Sequence, residues 1–212
     1  MTNTRPTILA QRISAERLAP YFAATNGSVD AALDLYEWNA EVSRAFRITL
    51  GHLEIVARNA MHDQLTAWCT AQHGHTTWYQ PLMARLAPQA AQTIADARRR
   101  ATRTGRPETP GRVVAELPFG FWRFLLTSRY DRILWRTCLY RAFPRQRRRS
   151  VEVVMARLHE LRNRIAHHER IHNRDLPQLH TDALTAAGWV CPDTAAWLTQ
   201  ISHVPQLIRQ RP

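Results

Sequence analysis

Residues 29–69 read VDAALDLYEWNAEVSRAFRITLGHLEIVARNAMHDQLTAWC, with no proline and a single glycine, Gly51. Leu33, Tyr36, Ala40, Ser43, Phe46, Leu50, Leu53, Val56 and Ala60 step by three or four, the period of one helix face. The spacing predicts one helix of about 40 residues, or two helices broken near Gly51. Helices of that length belong to bundles, so the expectation is an all-α fold. Asn26-Gly27 breaks the chain before this element, and Ser28 is placed to cap it.

The flanking sequence extends the same pattern. Ile13, Arg17, Leu18, Tyr21 and Phe22 follow Ser14 with helical spacing. Further helices are expected over Trp78–Leu86, Gln89–Thr104, Arg129–Ala142 and, capped by Ser150, from Val151 to at least Ile165. Gly105 to Gly111, with Pro107 and Pro110, reads as a loop. Phe119-Gly120-Phe121-Trp122 suits a packed core, or more narrowly a base-stacking platform. After Asp175 come short helices separated by Gly188 and Pro192, with Asp193 placed as an N-cap. The organisation expected is a helical domain over 1–174 and a short helical extension over 175–212 packed on it. The long helix or helix pair lies toward the N-terminus.

With 212 residues and 45% apolar composition, the chain can bury one sizeable core and is not a disordered sequence. No run approaches the roughly 18 apolar residues of a membrane span, and Met1 to Pro6 lacks a signal-peptide pattern. A cytoplasmic protein without membrane contact is expected. Cys69, Cys138 and Cys191 form no CxxC pair and are expected to be buried small apolar residues.

All 29 basic residues are arginine. Without lysine, a Walker A motif, a Schiff-base enzyme and a kinase of standard form are excluded. The net charge of +12 is concentrated: residues 98–174 hold 20 arginines against 6 acids, while the flanking stretches are each close to neutral. Arg98, Arg99 and Arg100, then Arg145, Arg147, Arg148 and Arg149, form two clusters that would attract phosphate backbones.

The densest polar group is Leu161-Arg162-Asn163-Arg164-Ile165-Ala166-His167-His168-Glu169-Arg170. Asn163 and His167 share a face if the helix continues, and Arg162 is one position round. Arginine grips phosphate with a planar fork, and histidine moves protons near neutral pH. This trio suits RNA cleavage by the substrate's own 2′-hydroxyl, without a metal. His168 and His172 have the spacing of two helical ligands, but no HExxH and no third ligand accompany them, so neither metal nor cofactor is expected. Glu54 and Arg58, four apart in the favourable order, either pack beneath Arg162 and His167 with Asn59 and His168, or form a polar bridge between helices.

Four blocks in order resemble the Abi-like proteins, bacterial members of the HEPN superfamily linked to abortive phage infection. They are Leu35-Tyr36-Glu37-Trp38-Asn39, Leu53 to Asn59, Leu117 to Trp122, and Arg162 to Glu169, and the resemblance spans about residues 14–205. It implies a HEPN-like helical bundle that pairs as a homodimer and cuts RNA, leaving a 2′,3′-cyclic phosphate and a 5′-hydroxyl. By motif match, Arg162 would hold the scissile phosphate, Asn163 would orient the site and His167 would be the general acid/base. Arg164 and the two arginine clusters would bind RNA. An antitoxin or a small associated RNA is implied as a further partner. Two other readings remain: a non-catalytic RNA-binding protein within a ribonucleoprotein, and a helical interaction protein with neither activity.

Overall fold

The structure, a computed structural model, describes residues 5–212, and among these no strand is present. α1 (Arg5–Ile13) was not anticipated from sequence. α2 (Ala15–Ala24) starts as expected at Ser14, whose hydroxyl accepts from the Arg17 N–H at 3.3 Å.

α3 (Val29–His73) is a single helix of 45 residues, about 65–70 Å long. Ser28 caps it through the Ala31 N–H, and Gly74 ends it in the left-handed conformation at φ 73°. Gly51 does not interrupt it. A mid-helix glycine costs only about 1 kcal/mol against alanine, which the burial of fourteen residues along α3 outweighs. The buried line runs through Leu35, Trp38, Val42, Phe46, Leu50, Leu53, Ala57, Met61, Leu65 and Cys69. In the first half of the helix it therefore lies beside the stripe read from sequence, whose Tyr36, Ala40 and Ser43 are not buried.

Shorter elements pack around this axis. α4 (Tyr79–Met83) is shorter than expected, because Ala87 is held extended before Pro88. Pro88 and Pro110 each occupy the first turn of a helix, α5 (Pro88–Ala101) and α6 (Pro110–Ala115), so the expected loop shrinks to residues 106–109. α7 (Phe119–Leu125) buries Phe119, Phe121 and Trp122, which makes that block core and not a stacking platform.

The expected helix over Arg129–Ala142 is instead a 3₁₀ turn at Ser128–Tyr130, a π-turn at Asp131–Trp135 and a 3₁₀ turn at Leu139–Ala142. Packing overrides propensity here: Tyr130, Leu134, Trp135, Cys138, Leu139 and Phe143 are all buried.

α8 (Arg148–Ala166) begins ahead of Ser150, which is exposed and caps nothing. Arg148 anchors that first turn from within, donating to the Leu126 carbonyl at 2.8 Å and pairing with Asp131 and Glu152. α9 (Leu176–Val190) runs through Gly188 and is capped by Asp175. α10 (Pro192–Ile201) is preceded by Cys191, so Asp193 lies in its first turn and is not the cap. α11 (Val204–Arg209) follows. Cys191 is only partly buried, unlike Cys69 and Cys138, because it sits at that helix junction.

Residues 175–212 pack back on α3. The Trp38 indole donates to the Leu207 carbonyl at 2.7 Å, and Leu198 and Val204 belong to the same core cluster as α3. No described helix is long and apolar enough to cross a membrane.

Candidate functional site

α8 buries Leu158, Leu161 and Ile165, which leaves His159, Arg162 and Asn163 half-buried at its edge. The helix stops in a Schellman turn. The His168 N–H donates to the Ile165 carbonyl at 3.1 Å and the Glu169 N–H to the Arg164 carbonyl at 2.8 Å. His168 takes the left-handed position at φ 55°, which glycine usually fills. The turn is held from outside. Buried Asn39 on α3 accepts from the Ile171 and His172 N–H groups at 2.8 and 3.0 Å. The Arg17 guanidinium donates to the His168 carbonyl.

His167 closes the last turn of α8 through its N–H to the Asn163 carbonyl at 3.0 Å, so Asn163 and His167 do share a face. Its ring is exposed and is not part of the cleft wall. That cleft, about 270 Å³, lies between α3 and the end of α8, and Arg47, Gly51, Glu54, Arg162, Ala166 and His168 are among its walls. The motif arginine therefore shares this cleft with Glu54 and His168, while His167 is not among its walls.

Burial pushes the Glu54 carboxyl above its ordinary value, against the pull of Arg162, Arg58 and the Phe119 N–H. Although their spacing is the favourable one, Glu54 and Arg58 make no ion pair within 4 Å; the Arg58 Nε–H donates to Asn59 Oδ1 at 3.2 Å. Glu54 and Arg162 line the same cleft without an ion pair within 4 Å, and the Phe119 N–H links Glu54 to the start of α7.

The structure adds a residue that sequence reading missed. His159 lies one turn before Asn163, whose amide nitrogen is 3.3 Å from His159 Nε2. The ring packs edge-on to Phe119, and a Cβ on Gly120 would come within 2.9 Å of Nε2. Gly120 is thus a close-approach glycine. Burial, then Arg123 and Arg162, lowers the His159 pKa, so at neutral pH the ring is uncharged. Its signal in the sequence was the i, i+4 spacing to Asn163.

The arginines divide into committed and free. Arg98 pairs with Glu108 at 3.0 Å, Arg99 with Asp96 at 2.9 Å and Arg100 with Glu116 at 2.9 Å. Arg148 is tied into the core edge as described. Arg164 faces away from the cleft, toward Glu160 and Glu169. Arg145, Arg147 and Arg149 are exposed and make no ion pair among the described residues. A further cleft between α8 and α9 is neutralised internally by Arg157 with Asp182 and Arg174 with Glu160.

His168 and His172 do not form a ligand pair. α8 ends before both, and His172 is buried with its ring 4.8 Å from that of Tyr21. Among the described residues no three His, Cys, Asp or Glu gather in a way that could hold a metal ion.

His62, His159, His172 and His180 all have pKa values lowered by burial from the ordinary 6.5. Below that value the unfolded chain binds protons that the folded chain refuses, so stability must fall as pH drops below about 6.5. Glu54, raised, acts in the opposite sense but is one group against four. The urea midpoint is expected to be lower at pH 5 than at pH 7.5; an equal or higher midpoint at pH 5 would show that these rings are not neutral in the folded state.

No protein-family model, curated protein or solved structure matches the chain.

Proposed function

We propose that the chain is a metal-independent endoribonuclease with a HEPN-like bundle, acting as a homodimer in bacterial defence against phage. The observation that carries this reading is the convergence of Arg162, Glu54 and His168 on one cleft, with Asn163 and His167 on the adjoining turn of α8. Arg162 holds the non-bridging oxygens of the scissile phosphate. The substrate 2′-hydroxyl loses its proton and attacks phosphorus; the new P–O2′ bond forms as the P–O5′ bond breaks. His167, exposed and free of side-chain partners, moves the proton that O5′ must receive, and its copy across the dimer takes the one that O2′ must lose. Glu54 positions Arg162, and His159 positions Asn163. No step requires a metal.

The test is cleavage of RNA in EDTA by the purified protein, with end-group analysis. Wild type is expected to leave 2′,3′-cyclic phosphate. Arg162→Ala and His167→Ala are expected to abolish cutting, while His168→Ala weakens it. Cleavage that survives in His167→Ala would remove the acid/base assignment. Intact RNA in every reaction, with RNA still bound, would favour a non-catalytic ribonucleoprotein component.

A further inference from the structure

The cleft holding Arg162 does not end at Arg47. A second hollow of about 220 Å³ continues it, lined by Arg17, Tyr36, Ser43, Arg44, Arg47 and His168 among others. Arg47, Ile165 and His168 border both hollows, so together they form one trough between α3 and the turn after α8. Along α3 the trough follows residues 36, 40, 43, 47, 51 and 54, a single stripe at helical spacing. From Tyr36 to Glu54 that stripe is about 27 Å long.

The charges in this trough are unevenly used. Of its two acids, Glu169 pairs with Arg164 at 3.2 Å, and Glu54 shares the cleft with Arg162, whose charge favours its ionised form. Arg17 is spent on the His168 carbonyl. Arg44 and Arg47 are exposed and have no hydrogen-bond or ion-pair partner among the described residues. Two guanidinium forks are therefore free beside the hydroxyls of Ser43 and Tyr36. Between them and Arg162, the floor is Gly51. An ideal Cβ there would meet nothing within 4 Å, so the glycine answers to no packing demand, although mid-helix glycine is disfavoured. What it does is keep the trough deep.

We infer that this trough is the track of a single RNA strand, with Arg44 and Arg47 binding a phosphate adjacent to the one that Arg162 holds. The part played by Arg162 rests on the nuclease reading above; the free arginines and the open floor do not. A trough one helix stripe wide fits one strand, whereas duplex RNA is met across its broad minor groove. Charge counting put RNA contacts in residues 98–174, yet the phosphate contact inferred here falls in the nearly neutral N-terminal stretch, where Arg44 and Arg47 have no partner among the described residues.

The experiment is fluorescence anisotropy with a labelled single-stranded oligonucleotide carrying 2′-O-methyl at every ribose, which binds but cannot be cut. Arg44→Gln/Arg47→Gln is expected to weaken binding at least tenfold and to lower the salt slope by about 0.7, the share of one phosphate. Gly51→Trp, which fills open space, is expected to weaken binding at least tenfold while melting no lower than wild type. Arg85→Gln, exposed and outside the trough, should bind as wild type does.

Binding within twofold of wild type in both trough variants overturns the inference. So does a Gly51→Trp protein that changes mass by light scattering while binding RNA normally, which would give the trough to a second copy of the chain. If the trough variants lose binding but wild type cuts nothing in EDTA, the track stands and the nuclease reading falls. If wild type cuts RNA and the trough variants cut and bind equally well, the nuclease stands and the track falls. A wild type that does not bind the oligonucleotide overturns the track on its own.

Discussion

Asn39→Ala is expected to lower the unfolding free energy by about 2–5 kcal/mol and to reduce RNA cleavage by up to about 100-fold, although residue 39 touches no substrate. The side chain is buried on α3, and its Oδ1 accepts from two successive backbone N–H groups, those of Ile171 and His172. Alanine leaves both donors in the core without a partner, at a desolvation penalty of about 1–3 kcal/mol each. The same two bonds hold the chain just after His168, which sits in a left-handed conformation that is uncommon for a residue with a side chain. Without the clamp the turn relaxes, and His167 and His168 move relative to Arg162. Asn39→Asp keeps an acceptor for both N–H groups and should retain more of each property. Urea unfolding and cleavage at matched folded fractions would measure the two effects. A stability loss under about 1 kcal/mol in Asn39→Ala would mean that water reaches those amides.

The Asn39 clamp also explains what the sequence could and could not reveal. Leu35 to Asn39 reads as a block because Leu35, Trp38 and Asn39 all face the core; the partner of Asn39 lies 132 residues away and has no local signature. α3 was legible because 29–73 holds no proline and a single glycine, Gly51, and Ser28 and Gly74 mark its ends. Its facing was less so. Period 3.6 gives an apolar direction, but two neighbouring stripes competed, and the one containing Tyr36, Ala40 and Ser43 proved to line a trough. The segment 129–142 failed for a related reason: its apolar residues keep helical spacing, so no breaker announces the π- and 3₁₀-turns that packing imposes. Which arginines of the first cluster are paired was not legible, because part of the pairing is not local. Arg98 and Arg100 find Glu108 and Glu116, 10 and 16 residues on; a charge count includes these acids but not which arginine each one pairs with. His159 was overlooked because its requirement is written elsewhere, in the missing side chain of Gly120.

Arg162 carries the other large effect, since in the proposed nuclease it serves both the fold and the chemistry. It is the foremost of the groups that favour the ionised form of Glu54, whose carboxyl burial already pushes upward. Arg162→Ala removes that support and is expected to destabilise the protein by about 1–3 kcal/mol, less than the 3–5 typical of a fully buried pair because Glu54 is half exposed. The sign of its pH dependence follows. A carboxyl whose folded pKa exceeds its unfolded value of 4.5 costs stability above that folded pKa, and the cost disappears as pH falls toward 4.5. The deficit of Arg162→Ala relative to wild type should therefore be full at pH 8 and shrink on acidification; a deficit independent of pH would mean that Arg162 acts through packing alone. Adding Glu54→Gln removes the charge that needs support. The double variant should recover most of the lost stability and none of the lost cleavage, because the phosphate still has no fork to hold it. Arg162→Lys separates the roles from the other side. Its ammonium keeps a positive charge near Glu54, so stability should stay near wild type, but a point charge cannot reproduce bidentate contact with phosphate. Cleavage should fall by about 100-fold, as for loss of a single transition-state donor. Full activity in Arg162→Lys would reduce Arg162 to a source of charge, and the choice of arginine at this position would then need a different cause.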